Sequence, residues 1–190
     1  MRLHRLIWAL ALIALPLISR AQSEITPERK RAIDSLALEK VRDLGRYISI
    51  IGNKNTPFSE GNRVIERAVE LFGAGAEIGV SSLSRTEIQY FPARRYFERL
   101  MALNYDRVSI EWYKVQYVSD LELQPDGRYV GVITIYQRFQ GETDEGLKYS
   151  DVTKKDITVY VEKKQTQIAG RLIDFWDVLL GDIRVTETLP

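Results

Sequence analysis

The sequence contains no cysteine and only one histidine, His4. The missing cysteine excludes disulfides, thiolate nucleophiles, Cys-ligated zinc and iron–sulfur clusters. Proline is sparse at six residues, and no apolar run reaches the roughly eighteen residues that mark a transmembrane helix. Nor is there an excess of either charge. With 27 basic and 26 acidic residues the net charge is +1, which gives no electrostatic case for nucleic acid as a partner. What remains is ordinary globular material. Of 190 residues, 45% are hydrophobic, enough for a packed core.

The first residues read as a secretory signal. Arg2, His4 and Arg5 form a basic start, and Leu6 to Ser19 forms an apolar stretch too short to span a bilayer. Ser19 and Ala21 are the small residues that cleavage after Ala21 requires. The protein is therefore expected to be exported to a bacterial periplasm or beyond. Removing residues 1–21 shortens the chain from 190 to 169 residues and takes Arg2, Arg5 and Arg20 with it. The 27 basic residues fall to 24 against 26 acidic, a net charge of −2, and the only histidine is lost. Histidine-based metal ligation and Ser-His-Asp chemistry are then excluded. No metal or cofactor is expected.

Along the mature chain, helical signals come first. Thr26-Pro27 is an N-cap followed by proline at the first helical position. Ile33, Leu36, Ala37, Val41, Leu44, Ile48 and Ile51 then keep helical spacing up to Gly52, with Gly45 a point where the helix can kink or stop. Ser59 is the expected cap of a second helix through Phe72. A short extended piece at 77–81 follows, then an extended stretch at 86–91, and Pro92 opens a third helix. After Asn104 the period changes from 3.6 to 2. Long strands follow at 108–121, interrupted by a bulge at Tyr113-Lys114, and at 129–140, 147–163 and 171–186. Pro125-Asp126-Gly127-Arg128 is a turn. Lys163 to Gly170 is expected to be a polar, mobile connection. Short links between long strands require antiparallel pairing. The fold class is therefore α+β, with N-terminal helices packed on a curved four-stranded antiparallel sheet plus short strands. The division is 1–21 signal peptide, 22–52 N-terminal helix and 53–190 α+β domain.

Two stretches add a resemblance. Arg67-Ala68-Val69-Glu70-Leu71-Phe72-Gly73-Ala74-Gly75-Ala76-Glu77-Ile78 and Trp176-Asp177-Val178-Leu179-Leu180-Gly181-Asp182-Ile183 resemble the nuclear transport factor 2-like, cystatin-like superfamily. The order of three helices before four strands resembles it too. The resemblance covers most of residues 55–188 and is similar to an exported bacterial member of Bacteroidetes type. It implies a cone with a pocket at its mouth, in a superfamily that includes hydratases, isomerases and non-catalytic binding or assembly domains. Asp–His dehydration chemistry, which the resemblance would imply, is closed to a mature chain without histidine. Its steroid-isomerase members instead pair an Asp base with a Tyr donor.

Carboxylate and tyrosine chemistry therefore survives. If the protein is an enzyme, an isomerase, dehydratase or hydrolase, the candidates are Asp151, Asp174 and Tyr149. Asp151, Thr153 and Lys155 share one face of their strand, and Asp174 and Trp176 share a face of the last strand. The alternative is that these polar residues lie on the solvated face of a half-exposed sheet. The preferred function is non-catalytic: an exported domain binding a small apolar ligand or a protein partner, through Tyr96, Trp112, Tyr129, Tyr136 and Trp176. Aromatics on both faces of the sheet suggest a homodimer or partner surface there. Helix one is a possible docking element for an envelope assembly. Gly141 to Gly146 reads as a solvated turn rather than a calcium loop. Arg94, Arg95 and Arg99 read as helix surface rather than an anion site. Gly73-Ala74-Gly75 lacks the context of a phosphate loop.

Overall fold

In the computed structural model the described residues are 25–117 and 119–190. The expected signal peptide lies outside them. Helix α1 (Pro27–Gly52) is capped as its sequence dictates: the Thr26 hydroxyl accepts a hydrogen bond from the Arg29 N–H at 3.3 Å. It buries Ile33, Ala37, Val41, Leu44, Ile48 and Ile51 along one face. Gly45 neither kinks nor ends it. A Cβ at Gly45 would meet Trp112 at 3.4 Å, an ordinary van der Waals contact, so the indole packs directly on this turn of the helix. Helix α2 (Phe58–Val69) follows, without the Ser59 cap. The Pro57 carbonyl takes the N–H groups of Glu60 and Gly61 instead, which starts the helix two residues earlier.

Strand β1 (Glu77–Ser82) and strand β2 (Arg85–Pro92) form a hairpin, and helix α3 (Ala93–Met101) follows. Then come β3 (Arg107–Tyr117), the short β4 (Glu122–Leu123), β5 (Tyr129–Glu142), β6 (Lys148–Ile168) and β7 (Arg171–Leu189). They make one sheet in the order β2-β1-β7-β6-β5-β3, with β4 added to β5. All pairings are antiparallel except β1 with β7, where Ile78 faces Ile183. The bulge expected at Tyr113-Lys114 is present: the register shifts between Tyr113 and Gln116, and Lys114 has φ 50°. The chain leaving α2 also pairs with β7, through Gly73 N–H to Leu180 O and Leu180 N–H to Leu71 O, both 2.8 Å.

One expectation is corrected. Residues 163–170 are not a loose connection. β6 and β7 stay paired from Lys163↔Trp176 to Ile168↔Arg171, and only Ala169-Gly170 turns the chain, with φ 48° and 79°. Two consecutive positive φ values make the turn whose twist suits a two-residue hairpin. Polar residues there support an exposed ribbon rather than a coil.

Helix α1 packs against both β3 and β7, which have β5 and β6 between them in the sheet. The sheet must therefore curve around the helix. This is the expected α+β cone, with the core on its concave side. Opposed residues of an antiparallel pair share a face. Ile133 faces Ile157 and Ile135 faces Lys155, with Gln137 opposite Thr153 and Phe139 opposite Asp151. The concave face of β6 is thus Asp151, Thr153, Lys155, Ile157, Val159 and Val161, all buried. It changes from polar to apolar along its length.

Candidate functional site

The polar half of that concave face lines a cavity of about 530 Å³. Its walls come from the β1–β2 hairpin, α3 and the segment after it, and the ends of β5 and β6. Phe91, Leu100, Ile110 and Phe139 supply apolar wall. Ser84, Arg85, Arg99 and Asn104 are exposed and form the rim. The size is within the range that holds a small organic molecule.

Asp151, Thr153 and Lys155 are 4%, 3% and 3% exposed. Buried groups of this kind need partners, and here the partners are specific. The Tyr149 hydroxyl donates to Asp151 Oδ2 at 2.6 Å, a charge-assisted geometry. The Thr153 hydroxyl lies 3.5 Å from Asp151 Oδ1, a long contact. The Tyr149 oxygen also accepts from the Leu83 N–H at 3.0 Å and lies 3.2 Å from Ser82 Oγ, the second oxygen within reach of its single proton. Ser82 Oγ in turn meets Ser84 Oγ at 2.9 Å. A chain of hydroxyls thus runs from the rim at Ser84 to the buried carboxylate. Burial raises the Tyr149 phenol above its ordinary range, and the bond to Asp151 adds to this.

Lys155 Nζ donates to the Gly79 carbonyl at 3.3 Å and sits 5.9 Å from the centre of the Tyr96 ring. Burial pulls its ammonium down to about 8, the Asp151 carboxylate opposing. Tyr96, on the buried face of α3, is raised by burial. Gly141 also serves the site: a Cβ there would lie 2.9 Å from the ring of Tyr105, a wall residue.

Of the candidate residues, the structure brings Tyr149, Asp151 and Tyr96 together in this cavity. It does not bring Asp174 there. Asp174 lies on the exposed hairpin of β6 and β7, bonded to Lys163 at 2.7 Å and to Gln165 at 2.7 Å. Lys163 first, then Gln165, hold its carboxyl below the ordinary range. A base in an apolar pocket would be raised, so Asp174 has the wrong environment. Trp176 is beside Tyr129, ring centres 5.7 Å apart, packed on the far end of the core. Tyr136 faces outward, with Tyr113 at 5.9 Å and Lys114 over its ring. Trp112 touches the site through one partner: its indole N–H donates to Gln137 Oε1 at 3.0 Å, and Gln137 lines the cavity.

The arginines of α3 separate. Arg94 makes a two-pronged pair with Glu66, and Arg95 lies 3.5 Å from Glu98. Arg99 lies over the Phe91 ring at 4.4 Å, on the cavity rim. Ser82, Ser84, Arg85 and Gln137 are not among the site candidates of the sequence, and Arg99, read there as helix surface, lies on the cavity rim. Lys155 was visible only as sharing a face with Asp151. Among the described residues no group of three or more His, Cys, Asp or Glu is placed to hold a metal ion. No described helix is long and apolar enough to cross a membrane.

No family model and no curated protein matches the sequence. Two solved structures are similar in chain course. One is an assigned scytalone dehydratase from Novosphingobium aromaticivorans, at 10% identity and TM-score 0.44, covering 85% of this chain and 90% of that one. The other is a type 2 hexachlorocyclohexane dehydrochlorinase, LinA, at 12% identity and TM-score 0.41, covering 86% and 92%. At these values the similarity carries nothing about chemistry.

Proposed function

We propose that the protein is an exported binding domain that takes a small amphipathic molecule into the cone. The apolar body would lie against Phe91, Leu100, Ile110 and Phe139, and the polar end would meet Asp151 and Lys155. The supporting observation is the cavity with two opposite, buried charges on its floor. A structural role alone would favour closing apolar packing over them, since an isolated buried charge is costly. A purified sample should bind an anilinonaphthalene dye, with a fluorescence rise that an amphipathic competitor reverses. Leu103→Trp, which places an indole across the cavity, should weaken binding by at least about tenfold. Equal binding by a folded Leu103→Trp variant would overturn the reading.

A second reading has its own support in the 2.6 Å Tyr149–Asp151 bond and the serine chain behind it. Asp151 as base and Tyr149 as proton donor would suit a carboxylate/tyrosine isomerase, dehydratase or hydrolase. Turnover that Asp151→Asn abolishes while dye binding persists would favour catalysis over binding alone.

A further inference from the structure

We propose that Lys155 captures a carbonyl ligand in the cone as a reversible imine. This rests on the binding reading above and names the ligand class, an aldehyde or ketone with an apolar body. The argument starts from the hydrogen-bond count. An ammonium has three donor directions, and Lys155 Nζ has one partner, the Gly79 carbonyl. An amine used only to hold β1 against β6 would have its remaining donors satisfied when so deeply buried. Here the residue lines the cavity instead. The charged and titratable residues lining the cavity with it are Asp151 and Tyr149 on its own strand, Tyr96 and Arg99 on α3, Arg85 on β2 and Tyr105 just before β3. Burial opposes the charged amine, and Asp151 favours it less strongly. A desolvated amine, neutral part of the time near pH 8, is the usual form of a nucleophilic lysine.

The step balances without a redox partner. The neutral amine's lone pair attacks the carbonyl carbon, and the carbonyl π pair moves to oxygen. Nitrogen gives up both its protons, the C–O bond breaks, and oxygen leaves with those protons as water. The product is a C=N bond to Lys155. Asp151, to which Tyr149 donates, lines the same wall as the group that takes up the protons leaving nitrogen and returns them to the departing oxygen. The surface lysines of the same strand differ. Lys148 is 3.4 Å from Glu142, and Lys163 is 2.7 Å from Asp174. Both are exposed and ion-paired rather than enclosed in a cavity.

The test incubates the whole protein with hydrocinnamaldehyde and cyanoborohydride, which delivers hydride to the imine carbon and fixes the adduct as a secondary amine. Peptide mapping by mass then compares lysines within one wild-type sample, so no variant has to fold. Lys155 should label at least about tenfold faster than Lys148 or Lys163. In parallel, hydrocinnamyl alcohol, which cannot form an imine, should displace the dye more weakly than the aldehyde. In Lys155→Met the two should become equal. Labelling at Lys155 no faster than at Lys148, while the alcohol still displaces the dye, overturns the imine and leaves the binding reading standing. Failure of dye, alcohol and aldehyde all to bind overturns both.

Discussion

The concave face of β6 has two ends written in nearly the same letters. At one end stand Asp151, Thr153 and Lys155; at the other, with the same parity, Lys163 and Gln165 both bond the Asp174 carboxylate of β7. The first set is almost wholly buried and the second is exposed. Both ends pair acids with bases and hydroxyls or amides. Their environments diverge because of what lies over them. Helix α3 and the β1–β2 hairpin roof the first end, whereas the second projects as a two-stranded ribbon beyond the helices. Under the roof, Asp151 and Lys155 each acquire a fixed partner, and burial lowers the proton affinity of Lys155. On the ribbon, the same groups form ion pairs that water and salt screen. Between the two ends the face is Ile157, Val159 and Val161, and this stretch anchors the strand.

The largest effect should come from that middle stretch. Ile157 is fully buried opposite Ile133 and Ile183. Ile157→Ala should cost about 2–5 kcal/mol through lost burial and a cavity that collapses incompletely. Denaturant unfolding measures this. A cost near zero would mean that β6 is not anchored there, and the contrast between its two ends would lose its hinge.

The second effect sharpens the contrast through pH. Replacing a buried ion by an apolar residue of similar length is often neutral, or stabilising by about 1–4 kcal/mol. Lys155→Met should therefore fold at least as stably as the wild type at neutral pH. The folded protein holds Lys155 near 8, while an unfolded lysine titrates near 10.5. Between those values the unfolded chain binds more protons, so the wild type gains stability from this group as pH rises. Below the folded value the penalty is constant. The melting temperature of the wild type should thus climb relative to Lys155→Met between pH 8 and 10.5. Parallel pH profiles would show that Lys155 is solvated, in which case the two ends of β6 are alike.

Much of this arrangement was legible in the residues, and the unread part has one cause. The change of period after Asn104 and the Pro125–Arg128 turn separate helices from strands, and the bulge at Tyr113-Lys114 can be seen as a slip in alternation. Such signals are local. Alternation likewise places Asp151, Thr153 and Lys155 on one face, and Asp174 and Trp176 on another. It cannot say which stretch of a face is roofed. That depends on Ser82, Ser84 and Arg85, about seventy positions earlier in the chain, and on Arg99 of α3. Asp151 and Asp174 were therefore equal candidates by pattern and become opposites by cover. The same applies to Tyr129 and Trp176, whose alternation fits a pocket but whose position fills the far core.

The smallest effect tests the exposed end directly. The Asp174 carboxyl is held low by Lys163 and Gln165, so what it contributes is present above the unfolded value and fades as pH falls through the folded one. That window is acidic, and the group is open to solvent, so screening removes most of the contribution at ordinary ionic strength. Asp174→Asn should shift the melting temperature by less than about 2 °C and leave dye binding unchanged. Salt should erase even that shift, because the pair competes with mobile ions rather than with a buried interior. A large loss of binding in Asp174→Asn would mean that the ribbon folds over the cavity mouth in solution. The roof would then include the hairpin tip, and the two ends of β6 would belong to one site.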